Sequence, residues 1–235
     1  MQTDDIARGL FSGIARNYDG PAEVLSLLQY SRWHRQLLAN LPALSDGRVL
    51  DMATGTGAVA LKLATRPGGR VVGADITRPM LVQANGRAAR AGLRHRLELV
   101  ECSAEAAPFA DGAFDAVIFT YLLRYVADVP STVRELARVL KPGGTMLALD
   151  FAVPGPAVYP LWRLYTSLVL PLAGAVMSPS WMKVGAFLGG SIRQFYRRWP
   201  EHHLMKVWRD CGFYAVESRR LSLGGALIMW GVKAA

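Results

Sequence analysis

Val49-Leu50-Asp51-Met52-Ala53-Thr54-Gly55-Thr56-Gly57 reads as a buried strand running into a glycine turn, with an acid at the strand's end. The glycines allow a sharp turn and a close approach of backbone to ligand. The acid decides what kind of ligand. Gly55-Thr56-Gly57-Ala58-Val59-Ala60 satisfies the dinucleotide pattern G-x-G-x-x-G/A. Asp75 stands about 20 residues on, where a ribose-binding acid is expected. An NAD-dependent or flavin-dependent oxidoreductase is therefore one reading. Electrostatics weighs against it. A dinucleotide lays its pyrophosphate on this loop and on the next helix N-terminus, and Asp51 would repel that anion in a low-dielectric crevice. S-adenosylmethionine carries an ammonium and a sulfonium and has no phosphate there, so an acid beside the turn suits it.

Working outward, Arg48–Asp51, Arg70–Asp75, Leu97–Cys102, Phe114–Thr120 and Thr145–Phe151 read as strands. Helices are expected at 57–66, at 77–91 with Thr77 as cap and Pro79 in the first turn, and near 130–140. The last of these stops at Lys141-Pro142-Gly143-Gly144. Phe114–Thr120 is continuously apolar, the mark of a strand covered on both faces. Alternating strands and helices predict a parallel, doubly wound α/β sheet of Rossmann-like type. Such sheets bind ligands at the strands' carboxyl ends, near the switch in strand order, so Asp51, Asp75, Ser103 and Thr120 should converge there.

The flanks differ from this core. Residues 22–41 read as one amphipathic helix carrying Val24, Leu27, Leu28, Leu37, Leu38 and Leu41. Residues 154–190 combine five prolines with dense large apolar groups around Val158–Leu170. This stretch is too broken to span a membrane; a lid over an apolar pocket, an interfacial helix or a buried core helix each fits it. His202 and His203 fall in a polar turn before a helix at 202–211, and Phe213–Glu217 with Gly225–Val232 should close the sheet as an antiparallel hairpin. We therefore expect a single domain over 1–235: a helical cap at 1–45, a cofactor-binding core at 46–153, a lid at 154–200, and a C-terminal helix with closing strands at 201–235.

Hydrophobic residues make up 51% of the 235, ample for a sizeable core, and charged residues 19%, below the usual quarter. The net charge of +9 favours an anionic membrane, an acidic substrate or nucleic acid. The arginines are dispersed and no RNA-binding module is appended, so nucleic acid is not an expected partner. The two cysteines, Cys102 and Cys211, form no metal-ligand pattern, so no metal is expected. Met1–Asp5 is acidic with no secretory pattern after it, making the cytoplasm, with or without membrane association, the expected location. A homodimer is compatible with the chain.

The order of Asp51–Gly57, Asp75, Ala104-Glu105-Ala-Ala-Pro108-Phe109, Phe114-Asp115 and Val139–Gly144 resembles class I S-adenosylmethionine-dependent methyltransferases. More narrowly, the chain resembles the UbiE-type C-methyltransferases of ubiquinone and menaquinone biosynthesis. Phe11-x-x-Ile14-Ala15-x-x-Tyr18-Asp19, Leu123-Arg124-x-Val126, Ser191-Ile192-Arg193 and Leu223-Gly224-Gly225 carry this likeness, which covers nearly the whole chain. It departs from the family's usual residues at Ala22, Glu23, Tyr30, Tyr125 and Met229, positions expected to face the acceptor.

The resemblance implies a seven-stranded sheet and S-adenosylmethionine as cofactor. Asp51, Gly55 and Gly57, in the turn that includes Ala53 and Thr54, would hold its methionine part. Asp75 would accept from both ribose hydroxyls. Ile76 and Met80 would pack on the adenine, with Ser103 and the Ala104 backbone at its amino edge and Thr120 nearby. A phenol-type acceptor must also lose its hydroxyl proton, and Tyr18, Tyr121, Arg124 and His34 are the candidates to orient or activate it. The expected reaction is methyl transfer to a lipophilic small molecule, foremost a prenylated quinol on ring carbon. N- or O-methylation of a phospholipid or secondary metabolite, and a non-catalytic scaffold that binds the cofactor, are the rivals.

Overall fold

The structure is a computed structural model that describes residues 8–44, 46–66 and 68–235; the acidic Met1–Asp5 lies outside them. Seven strands form one sheet: β1 Arg48–Met52, β2 Arg70–Asp75, β3 Leu97–Glu101, β4 Phe114–Thr120, β5 Leu140–Phe151, β6 Phe213–Leu221 and β7 Ala226–Lys233. Their order is β3-β2-β1-β4-β5-β7-β6. The first five run parallel, and β7 lies antiparallel between β5 and β6. The chain reverses its winding between β1 and β4, which sets the crevice above their carboxyl ends.

Alternate residues of the central strands feed two cores. Leu50, Met52, Val117, Phe119 and Met146 face α5 (Val129–Val139) and α9 (Glu201–Asp210), where Trp208 is fully buried. Val49, Ala116, Ile118, Leu147 and Leu149 face α2 (Tyr30–Leu38) and α3 (Ala58–Ala64). Helix α4 (Arg78–Arg90) follows β2. This two-sided burial is what the apolar run of β4 required.

Four expectations change in detail. The single helix expected over 22–41 is two: α1 Asp19–Leu25 and α2. Ser26 breaks it, because its hydroxyl accepts from the Gln29 and Tyr30 amides in place of helical bonds. Leu27 and Leu28 adopt left-handed φ of 56° and 62° and stand 65% and 67% exposed, off the core stripe expected of them. Thr77 precedes α4 as expected, but its hydroxyl does not cap the helix; its amide instead donates to Asp75. Lys141–Gly144 do loop out, but inside β5, between Leu140 and Thr145, which pair Phe114 and Ala116. His202 and His203 lie within α9 rather than before it.

Residues 159–198 are helical: α6 Tyr159–Leu164, a wide π turn Tyr165–Val169, α7 Leu170–Met177 and α8 Pro179–Arg198. Pro160 and Pro179, which break the sequence pattern, sit in first turns, where proline costs no hydrogen bond, and Pro171 follows directly on the π turn inside unbroken helical backbone. Helices α7 and α8 touch backbone to backbone. A Cβ on Gly185 would stand 2.5 Å from the Leu170 carbonyl oxygen, and one on Gly174 2.5 Å from that of Trp181. Among the described residues no helix is long and apolar enough to cross a membrane.

Candidate active site

The glycine turn after β1 is tied down by acids. Asp51 is wholly buried, and its Oδ2 accepts from the Thr54 hydroxyl at 2.6 Å and from the Ala60 amide at 2.9 Å. Burial pushes its pKa up to about 7, against those two hydrogen bonds. Its Oδ1 has no partner. Asp75 Oδ2 accepts from the Gly55 amide at 2.8 Å and its Oδ1 from the Thr77 amide at 2.8 Å. Burial raises the Asp75 pKa, and these amides oppose the rise. Ala53, Gly55 and Gly57 all take left-handed φ. At Gly57 a Cβ would also press on Ala84 at 3.1 Å.

The cap is fastened to this turn. Arg87 of α4 donates to Asp19 Oδ2 at 2.6 Å and to the Thr56 carbonyl at 3.0 Å, and the Thr56 hydroxyl donates to Asp19. Tyr18 is thereby set over the crevice, stacked on Trp181 of α8.

Two adjoining cavities result. The first is lined at the turn by Ala53, Thr54 and Gly55, and at the ends of β2 to β4 by Asp75, Ile76, Ser103, Ala104 and Thr120, with Met80 of α4. Thus nine of the eleven residues expected around a cofactor share one wall, and Asp51 and Gly57 shape the turn from behind. The second is walled mostly by apolar groups of the cap and of α6 to α8. Phe11, Tyr18, Tyr30, Tyr121 and Tyr125 line both, so the cavities meet at a ring of aromatic side chains.

Arg124 faces the second cavity. Its Nε donates to Asp150 Oδ1 at 2.9 Å, and the Arg124 side chain is 1% exposed. Burial works against the charge, but Asp150 and the Tyr125 hydroxyl beside it outweigh that and hold the guanidinium protonated. The rings of Tyr125 and Phe151 flank it. Tyr18 and Tyr121 keep their protons, because burial lifts both phenols well above the ordinary value. His34 lines neither cavity. It is buried behind Tyr30 and Tyr121 with both ring nitrogens unpartnered, and burial, with Lys62 nearby, pulls its pKa down to about 3.

Sequence reasoning passed over Asp150, although an acid ending an apolar strand is the same signal that marked Asp51 and Asp75. It also named Asp19 without its partner Arg87, which no spacing reveals. Of the departures from the family pattern, Ala22, Tyr30 and Tyr125 line the second cavity. Met229 lies in the core, and the Glu23 carboxylate holds the Ser31 amide.

The first cavity fits S-adenosylmethionine better than a dinucleotide. The amides of Gly55 and Ala60, which a pyrophosphate would need, already serve carboxylates. Each Asp75 oxygen accepts one backbone bond and keeps a lone pair for a ribose hydroxyl. Strand order and site together define a class I S-adenosylmethionine-dependent methyltransferase. The same conclusion comes from comparison with known proteins. Residues 2–233 match the model of the ubiE/COQ5 methyltransferase family, and the chain belongs to that family. It is 37% identical over 226 residues to a ubiquinone/menaquinone biosynthesis C-methyltransferase UbiE of Desulfotalea psychrophila, covering 95% of this chain and 89% of that one. It is 38% identical over 226 residues to a demethylmenaquinone methyltransferase of Thermus thermophilus, covering 94% and 99%. Among solved structures, Haemonchus contortus phosphoethanolamine N-methyltransferase 2, bound to S-adenosylhomocysteine, superposes with a TM-score of 0.66 at 16% identity, over 94% of this chain and 59% of that one. That likeness speaks for the fold alone.

Proposed function

We propose that this enzyme methylates a ring carbon of a prenylated quinol, working in peripheral contact with membrane. The observation that carries the acceptor reading is the second cavity: large, apolar, and joined to the cofactor cavity through aromatic rings beside one buried cation. Relatives named for ubiquinone, menaquinone and demethylmenaquinone support it.

In this reading Asp75 binds the ribose, Ile76 and Met80 sandwich the adenine, and Ser103 with the Ala104 backbone meets its edge. The Gly55 turn faces the methionine end, braced from behind by Asp51. When bound, S-adenosylmethionine supplies an electrophilic methyl on a cationic sulfur. Arg124 holds the acceptor's oxygen as a phenolate by donating N–H groups that Asp150 does not take. A buried cation there lowers the phenol's own pKa, so the hydroxyl proton passes to solvent before the site closes and the adjacent ring carbon becomes nucleophilic. Once that carbon has bonded the methyl it gives up its own ring proton to solvent, which restores the aromatic quinol. Tyr18 and Tyr121 orient rather than deprotonate, since their phenols stay neutral. His34, uncharged and screened behind the tyrosines, has a packing role. The aromatic ring and the cap exclude water, so alignment does much of the catalysis.

The test offers the enzyme S-adenosylmethionine with a demethylated prenyl naphthoquinol, a demethylated prenyl benzoquinol, or phosphoethanolamine, and follows S-adenosylhomocysteine release. Release with either quinol and none with phosphoethanolamine is expected. Release with phosphoethanolamine alone would overturn the acceptor assignment.

A further inference from the structure

The outer surface of the α6–α8 hairpin is unlike the rest of the molecule. Leu161, Leu164, Leu168, Leu172 and Val176 recur every three or four residues on continuous helical backbone and are 51–89% exposed. This stripe is not a core face awaiting a neighbour within the chain. The inner side of the same run is already committed, with Thr166, Leu170 and Gly174 against α8. The exposed Leu27 and Leu28 stand beside it, because the Tyr165 hydroxyl donates to the Leu25 carbonyl at 2.6 Å and ties the α1–α2 turn to the hairpin. Leu27 both lines the acceptor-side cavity and is mostly exposed, so the cavity reaches the surface at this point, next to Trp162 and Tyr165. A contiguous apolar surface of this kind marks an interaction site.

Charge selects the partner. Between Asp150 and Glu201 the chain has no acid and five cations, Arg163, Lys183, Arg193, Arg197 and Arg198. Four of these are exposed on the hairpin: Arg163, which shares a surface groove with Leu164 and Leu168, Lys183 near the start of α8, and Arg197 and Arg198 at its far end. A second copy docked face to face would bring like charges together. An anionic lipid surface would attract them, while their aliphatic stems share the apolar layer.

We propose that the Leu161–Val176 face of the hairpin docks on an anionic phospholipid leaflet, and that the acceptor's apolar tail passes from that leaflet into the cavity beside Leu27 and Trp162. This deepens the quinol reading and rests on it for the tail. The hairpin lies in the interface plane, since no described helix can span the bilayer.

The test is flotation of the whole protein with vesicles of phosphatidylcholine alone or with about 30 mol% phosphatidylglycerol, run beside turnover on a quinol truncated to one prenyl unit. Wild type should float with the mixed vesicles and much less with phosphatidylcholine. Leu168→Asp/Leu172→Asp should cut partitioning at least about tenfold on mixed vesicles. Arg163→Glu/Lys183→Glu should reduce binding to the mixed vesicles to the phosphatidylcholine level. Both pairs are exposed and away from the cavities, so turnover on the soluble quinol should match wild type and report intact folding. Wild type that methylates the truncated quinol but does not float, or floats equally after both pairs of substitutions, overturns the docking face and leaves the quinol reading standing. Flotation without turnover on any quinol sinks the quinol reading, and with it the tail route, while the leaflet docking holds. Lipid-free dimers that Leu168→Asp/Leu172→Asp converts to monomers would assign the face to a second copy and refute the proposal.

Discussion

Replacing Arg124 by Met separates the two roles that its geometry allows. Arg124 is 1% exposed and Asp150 15%, so removing the guanidinium strands a carboxylate away from water. Breaking such a buried pair from one side costs about 3–5 kcal/mol. For a chain of this size each kcal/mol moves the melting temperature by about 2–4 °C, so Tm should fall by roughly 10 °C. Asp150 alone can relieve itself by taking up a proton, so the loss should shrink as pH is lowered toward the carboxylate range. Adding Asp150→Leu removes the stranded charge. The double variant should recover most of the stability, short of about 1 kcal/mol for the Phe151 amide that Asp150 now accepts. Turnover should behave differently. If Arg124 holds the phenolate, both variants lose about 10²- to 10³-fold, as for loss of one oxyanion donor. S-adenosylmethionine affinity, read by calorimetry, should hold within about twofold, since Arg124 does not line the cofactor cavity. Thermal unfolding with steady-state turnover on the three proteins decides it. A double variant that regains turnover along with stability would show that Arg124 only braces the fold.

Asp75→Ala should abolish measurable S-adenosylmethionine binding in calorimetry, because it removes the ribose acceptor and frees the Gly55 amide; unchanged affinity would refute its assignment. The buried Asp51 makes a pH prediction. Its folded pKa of about 7 lies above the ordinary 3.8, so between those values the folded chain holds a proton that the unfolded chain has released. Its contribution to the stability of the cofactor-free protein therefore falls as pH rises across that window and levels off above it. Urea midpoints measured against pH should show this slope in wild type and a shallower one in Asp51→Asn, the remainder coming from Asp75 and Asp150, whose pKa values burial also raises; equal slopes would remove Asp51 as a cause. Gly185→Leu should pry α8 from α7, since even a Cβ there meets the Leu170 carbonyl at 2.5 Å. Turnover on a long-tailed quinol should drop at least about tenfold with cofactor affinity kept, and full activity would argue against the hairpin as a cavity wall.

The central sheet was legible because its inner strands, β4 above all, are covered on both faces and so appear as apolar runs, whereas the edge strand β3 keeps Glu98 and Glu101 exposed. The acids Asp51 and Asp75 were legible as polar ends to such runs. Asp150 carried the same mark, but its meaning lies in Arg124, 26 residues earlier, and only the fold brings them together. The break at Ser26 was hidden because Leu27 and Leu28 continue the helical apolar spacing, while the serine hydroxyl that ends the helix leaves no periodic trace. His34 looked suited to proton transfer from its value in water. Its place beside Trp33 and Leu37, on the buried face of α2, removes it from the cavities. In the hairpin, prolines suggested breaks, whereas Pro160 and Pro179 start helices and Pro171 is carried inside unbroken helical backbone just after the π turn.

The most direct test of the central claim uses S-adenosylmethionine labelled with carbon-13 in its methyl group and a demethylated prenyl quinol, with the product read by carbon NMR. The account predicts that the label appears as a methyl on a ring carbon next to a hydroxyl-bearing one. A label found on oxygen would contradict it, because the phenolate held at Arg124 would then itself be the nucleophile.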